Sequence, residues 1–204
     1  MADASVAFDD AIKHIMKNSE QYLYQFNFSA CELWLCNELC KILNFEAGTG
    51  VFSEKNEFIY NEDKKRDLSI YQWDKNGTEK LLEHIEVKVV YPKYLLSHKV
   101  NWLDLLVNKL HGSQLNFNEY VGYHGWVFFV WTSDRKYSKK YPNPTDFFNR
   151  DTQEIKTKLS HCYNSKTDFQ CVDIIDGSFL WRGVTKRIVV KGMQFTKAAK
   201  QISV

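Results

Sequence analysis

An Asn76-Gly77 pair stands between two strand-like runs, Arg66-Asp67-Leu68-Ser69-Ile70-Tyr71 and His84-Ile85-Glu86-Val87-Lys88-Val89. This feature constrains the fold most. A type I′ turn needs positive φ at both central residues, and Asn and Gly tolerate it, so the pair is a strong hairpin signal. With those two residues alone as the loop, Asp67 faces Glu86 across the hairpin. Directly opposed like charges weaken a sheet, so the pair makes physical sense where something positive sits between them. Strand alternation adds Lys88 to the face of Glu86 and turns Ile85, Val87 and Val89 into the core. The geometry rests on register, and one bulge between residues 67 and 86 would separate the carboxylates.

The rest of the chain supplies the layers. Apolar spacing predicts an amphipathic helix over 5–17 and a second from Ser29 to about Leu43, where Leu35, Cys36, Leu39, Ile42 and Leu43 form one stripe and Gly48 follows. A short strand is expected near Glu57–Tyr60, and Pro92 should end pairing after the hairpin. Trp102, Leu103, Leu106, Val107 and Leu110 mark a crossover helix stopped by Gly112. The apolar run Gly125–Thr132 predicts a central strand covered on both faces. A helix is expected over about 145–159, behind Pro142 and Pro144. Short strands at 171–175, 178–181 and 187–190 follow, with Asp176-Gly177 read as a turn. The expected class is α/β, a mixed central sheet flanked by helices, in a single domain over 1–204. Its core spans about 29–132, and a basic, β-rich C-terminal extension spans about 165–204.

Three prolines and nine glycines, against 14 phenylalanines and 11 tyrosines, indicate a densely folded chain rather than a disordered one. No run is long enough to cross a bilayer, and Asp3, Asp9 and Asp10 stand where a signal peptide would be basic, so a cytoplasmic location and no membrane partner are expected. The five cysteines are odd in number and lack paired Cys-x-x-Cys units, which points to reduced, small apolar residues rather than disulfides or structural zinc. A net charge of +2 does not by itself argue for nucleic acid. Its distribution says more. Arg135, Lys136, Lys139, Lys140, Arg182, Lys186 and Arg187 are interleaved with Tyr137, Tyr141, Phe179 and Trp181, a pattern that suits following a phosphate backbone and stacking on bases. An ordinary solvated face is the competing reading.

Glu86-Val87-Lys88 carries chemistry through its spacing: residues two apart on a strand point the same way, so a carboxylate can bind a metal while an ammonium faces a phosphate or orients water. Glu32 lies mid-stripe on the second helix, so its carboxylate faces inward and needs a partner. A metal shared with Asp67 and Glu86 is one answer; a capping box, in which Glu32 reaches back to Ser29, is the other. Glu38 is a reserve candidate at the stripe's edge.

A helix bearing a glutamate, then Asp67 on a hairpin, then Glu86-Val87-Lys88, resembles the PD-(D/E)XK nuclease superfamily, the restriction-endonuclease-like fold. The likeness covers about residues 29–132, with Arg66 where the family's proline would stand. It implies Asp67, Glu86 and Lys88 as catalytic residues, and Glu32, Asp67 and Glu86 as ligands of Mg²⁺, with Mn²⁺ as substitute. It further implies a metal-dependent endonuclease, with DNA favoured over RNA, in a restriction or defence role, and a homodimer by family likeness. Two alternatives stay open. Glu38-Leu39-Cys40-Lys41 resembles the helix before the active site in cap-snatching RNA endonucleases, and a noncatalytic nucleic-acid-binding or protein-interaction module could use the same fold.

Overall fold

The computed structural model describes residues 4–27, 31–46, 56–61, 67–92, 101–112, 122–163 and 171–197. Ser29, Gly48 and Arg66 lie outside these, as does the Lys136 side chain. The chain is α/β, with one mixed six-stranded sheet and helices on both faces. Four helices carry labels here: α1 (Ala4–Lys17), α2 (Glu32–Lys41, continued by a wider turn through Glu46), α3 (Trp102–Gly112) and α4 (Thr152–Tyr163). The strands are β1 (Glu57–Asn61), β2 (Leu68–Trp73), β3 (Glu79–Val90), β4 (Gly122–Thr132), β5 (Val172–Trp181) and β6 (Val184–Lys197), in the order β1-β2-β3-β4-β6-β5. Among the described strands only β3 and β4 pair in parallel, as the crossover through α3 requires. Among the described residues no helix is long and apolar enough to cross a membrane.

Two cores form because β4 is apolar on both faces. Trp126, Phe128 and Val130 meet Phe8, Ile12 and Ile15 of α1 and Leu35 and Leu39 of α2. Val127, Phe129 and Trp131 meet Leu106 and Leu110 of α3 and Ile155 and Leu159 of α4. Each such side chain contributes roughly 1.5–3 kcal/mol on full burial, and among the described residues Trp126 is the largest that is wholly enclosed. The outer edge of β1 is blunted by an amide: Asn44 accepts from the Ile59 amide at 3.0 Å and donates to the Ile59 carbonyl at 2.8 Å, mimicking a further strand.

Two expected turns are corrected. The first hairpin loop is Lys75-Asn76-Gly77, three residues rather than two, because the Asp74 amide bonds to the Thr78 carbonyl. Only Gly77 takes positive φ (76°) there, so the turn is not type I′. Asp74 selects it: its carboxylate accepts from the amides of Asn76 and Thr78, both at 2.8 Å. Asp176-Gly177 is not a turn at all; it lies inside β5, opposite Val189 and Ile188. Glycine is needed there for close approach, since a Cβ would lie 2.9 Å from a Leu23 methyl. The turn falls at Arg182-Gly183, both with positive φ (48° and 78°).

Candidate active site

The longer loop shifts the first pairs of the hairpin by one position, Trp73 facing Glu79 and Tyr71 facing Leu81. A bulge between Ile70 and Tyr71, with Leu82 as the extra residue on β3, shifts it back, so Leu68 faces Ile85 and Ser69 faces His84. The two irregularities cancel, and Asp67, one residue before β2, arrives beside β3 at Glu86 and Val87.

The β2–β3 ladder ends at Leu68 and Ile85 while β3 runs on to Val90, so among the described residues no strand pairs that edge of β3 past Ile85. Its buried amides need acceptors. Asp67 Oδ2 accepts from the Val87 amide at 2.7 Å, and Glu32 Oε2 from the Val89 amide at 3.2 Å. Glu32 is the first residue of α2, behind Cys31, which makes no side-chain cap bond. Its inward reading therefore finds a partner in β3; the capping box rests on Ser29, outside the described residues.

The same carboxylates converge on Lys88, whose side chain is 9% exposed. Its Nζ lies 2.8 Å from Glu86 Oε1, 3.0 Å from Asp67 Oδ2 and 3.1 Å from Glu32 Oε1, and it donates to the Val87 carbonyl at 2.7 Å. Three carboxylates thus share one ammonium. Burial, moderated by Lys88 and reinforced by Asp67 and Glu32, pushes the Glu86 carboxyl up to about 7. Burial alone would lower the Lys88 ammonium, but Glu86, Asp67 and Glu32 outweigh it and hold it above its ordinary value. The cluster opens towards solvent on the helix side, where Glu32 is 41% exposed against 21% for Asp67.

Sequence reading missed two parts of this arrangement. Cys36, one helical turn beyond Glu32 and buried, has its thiol held well above its ordinary range, first by burial and then by Asp67 and Glu32. The i, i+4 spacing could have flagged it. The Val87 and Val89 amides carry no sequence signal, since they matter only because β2 stops short. Glu38 stands apart, accepting from the Tyr22 hydroxyl at 3.2 Å and pairing with Lys41 at 3.4 Å. His84, on the Glu86 face, is buried with Nδ1 3.0 Å from Ser69 Oγ.

The donor set is chemically suited to Mg²⁺, which takes hard carboxylate oxygens. Among the described residues no group of three or more His, Cys, Asp or Glu side chains stands in metal-binding arrangement. The Lys88 ammonium lies between the three carboxylates where a shared cation would sit.

The basic residues singled out by sequence divide. Lys186 pairs with Asp134 at 3.0 Å, and Arg187 grips Asp176 through two bonds of 2.9 and 2.8 Å. Arg182 lies over the Trp181 ring at 5.4 Å and Lys140 over Tyr141 at 5.0 Å. Arg135 and Lys139 are exposed. Compared with known proteins, the chain matches no family model, no curated protein and no solved structure.

Proposed function

We propose that this chain is a Mg²⁺-dependent endonuclease on a restriction-endonuclease-like fold, hydrolysing phosphodiester bonds with DNA as the favoured substrate. One observation carries the reading: carboxylates from α2, from the residue before β2 and from β3 converge on a single buried ammonium. A stability-driven design would match charge to charge, because buried ions are costly unless each is compensated. Here the negative charge is in surplus, and the Glu86 carboxyl is pushed up to about 7 in consequence of burial and its acidic neighbours. Shifts of this kind gather at functional sites.

In this mechanism Glu32, Asp67 and Glu86 would hold the metal. When bound, Mg²⁺ supplies Lewis-acid polarisation of the scissile phosphate and a lowered pKa for bound water. Lys88 contributes positive charge to the phosphoryl oxygens as they become more negative, the kind of preorganised stabilisation that favours the transition state over the ground state. Asp67 also fixes the Val87 amide and so holds the edge of β3 in register with the site. The exposed Arg135 and Lys139, with Arg182 on Trp181, would engage the phosphate backbone.

A second reading has its own observation. Asp67 and Glu32 already accept from the Val87 and Val89 amides of β3, a structural duty that a noncatalytic nucleic-acid-binding or interaction module would also need. The test is incubation of labelled DNA and RNA with Mg²⁺ or Mn²⁺, comparing wild type with Asp67→Ala and Lys88→Ala. Wild type is expected to cleave, and each variant to lose on the order of 10²-fold or more. Equal cleavage by all three sinks the site. Cleavage of RNA alone moves the substrate to the cap-snatching type, and neither cleavage nor metal binding by wild type favours the noncatalytic module.

A further inference from the structure

The Lys88 ammonium has three protons, and four acceptors lie within 3.1 Å of its Nζ: the Val87 carbonyl, Glu86 Oε1, Asp67 Oδ2 and Glu32 Oε1. Its donors are fully engaged, so in this arrangement it has none to offer a phosphate or an attacking water. The three oxygens it occupies are the ones a divalent cation would need. Lys88 and such a cation therefore compete for one position, and two positive centres will not share it at contact distance.

The surroundings give the competition a direction. Glu32 is the most exposed of the three carboxylates and Lys88 the most enclosed member of the cluster, so an arriving cation meets Glu32 first. Glu32 also has a second anchor, its Oε2 on the Val89 amide, so it can release the ammonium without leaving the β3 edge. Asp67 is anchored on the Val87 amide too, through Oδ2, the same oxygen that meets Lys88. Glu32 and Asp67 are thus held by backbone bonds that do not involve Lys88, whereas the lysine is held by the three carboxylates and one carbonyl.

We infer that Lys88 is a tethered counter-ion which keeps the three carboxylates closed until a divalent cation displaces it, and that this displacement releases Lys88 to meet the phosphate. The inference rests on the metal-dependent reading above and adds an order of events: cation first, lysine release second, substrate contact third. A nuclease built so would not present its lysine to nucleic acid in the absence of metal.

The experiment uses the full chain without nucleic acid. Acylation of Lys88 by an N-hydroxysuccinimide ester is followed at fixed pH by mass spectrometry of the Lys88 peptide, with and without Mn²⁺, while Mn²⁺ binding is measured in parallel by calorimetry. If the released form is a minor state of about 10% or less without metal, saturation should raise the Lys88 labelling rate about tenfold or more. Exposed lysines such as Lys139 should label at an unchanged rate. Lys88→Met, lacking the tethered competitor, should bind Mn²⁺ more tightly than wild type. Mn²⁺ binding with no change in Lys88 labelling overturns the displacement and leaves the metal-dependent reading standing. Fast Lys88 labelling without metal does the same. No Mn²⁺ binding by wild type or by Lys88→Met overturns both.

Discussion

Two regions of the sheet handle charge in opposite ways. On β5 and β6, cations and anions are matched one to one near the surface: Arg187 with Asp176, and Lys191 with Asp173 at 2.7 Å. At the β3 edge three carboxylates crowd one ammonium that is almost completely enclosed. Exposed, balanced pairs contribute little to stability because water and salt screen them. Buried, unbalanced charge is expensive, and folding alone gives no reason to build it. The β3 edge is thus where chemistry is expected, and the β5–β6 pairs read as a solvated face of the kind the sequence allowed for.

The largest way to break this contrast is to take away the shared cation. Lys88→Met should cost about 3–5 kcal/mol of unfolding free energy in urea titration, because it strands buried carboxylates without a partner. Saturating Mg²⁺ should restore part of that loss, since a ligand bound only by the native state stabilises it by mass action. An equal loss with and without Mg²⁺ would argue against a cation site.

Next in size is the pH response, whose sign differs between the two regions. The Glu86 carboxyl is raised to about 7 in the fold, chiefly by burial. The folded state therefore binds its proton more tightly than the unfolded chain does. The associated stability is fully present below the unfolded glutamate pKa of about 4.3 and is lost as pH rises through about 7, an effect on the order of 3 kcal/mol. Asp176 goes the other way: the Arg187 hydrogen bond lowers its carboxyl, so its smaller contribution is present at neutral pH and lost on acidification. Urea denaturation between pH 4 and 8 should show a decline for wild type that Glu86→Gln removes. An unchanged slope in that variant would assign the pH dependence elsewhere.

Smallest is the surface pair itself. Arg187→Ala should change stability by no more than about 0.5–1 kcal/mol, and less in high salt, because both partners are about half exposed. A larger loss would mean that the pair braces the β5–β6 hairpin. If Arg187 contacts nucleic acid, the same variant should weaken binding and flatten its salt dependence while leaving stability nearly unchanged.

Much of this was legible in advance, for reasons that particular residues make plain. The period-two pattern of β3 put Glu86 and Lys88 on one face and Ile85, Val87 and Val89 on the other, and the doubly apolar β4 run announced a central strand. Turn chemistry was less decisive. Asn76-Gly77 serves either as a two-residue type I′ turn or as the end of a three-residue loop, and Asp74, whose carboxylate binds the Asn76 and Thr78 amides, selects the second. Asp176-Gly177 imitates a turn because glycine is used both where φ must be positive and where a neighbour comes close, and here Leu23 is that neighbour.

The sequence by itself determined which residue types lie on which face, since side-chain direction follows from local periods of 2 and 3.6 residues. It also indicated a densely folded chain, through composition, and a core on both faces of β4, through its continuous apolar run. Only the tertiary structure decided that a bulge at Leu82 would cancel the extra loop residue and return Asp67 to Glu86. It alone brought Glu32 to Lys88 across 56 positions of chain. The first depends on where the bulge falls, and the second on where β2 stops relative to β3. That endpoint is set by packing and amide satisfaction over long range, which no local pattern encodes.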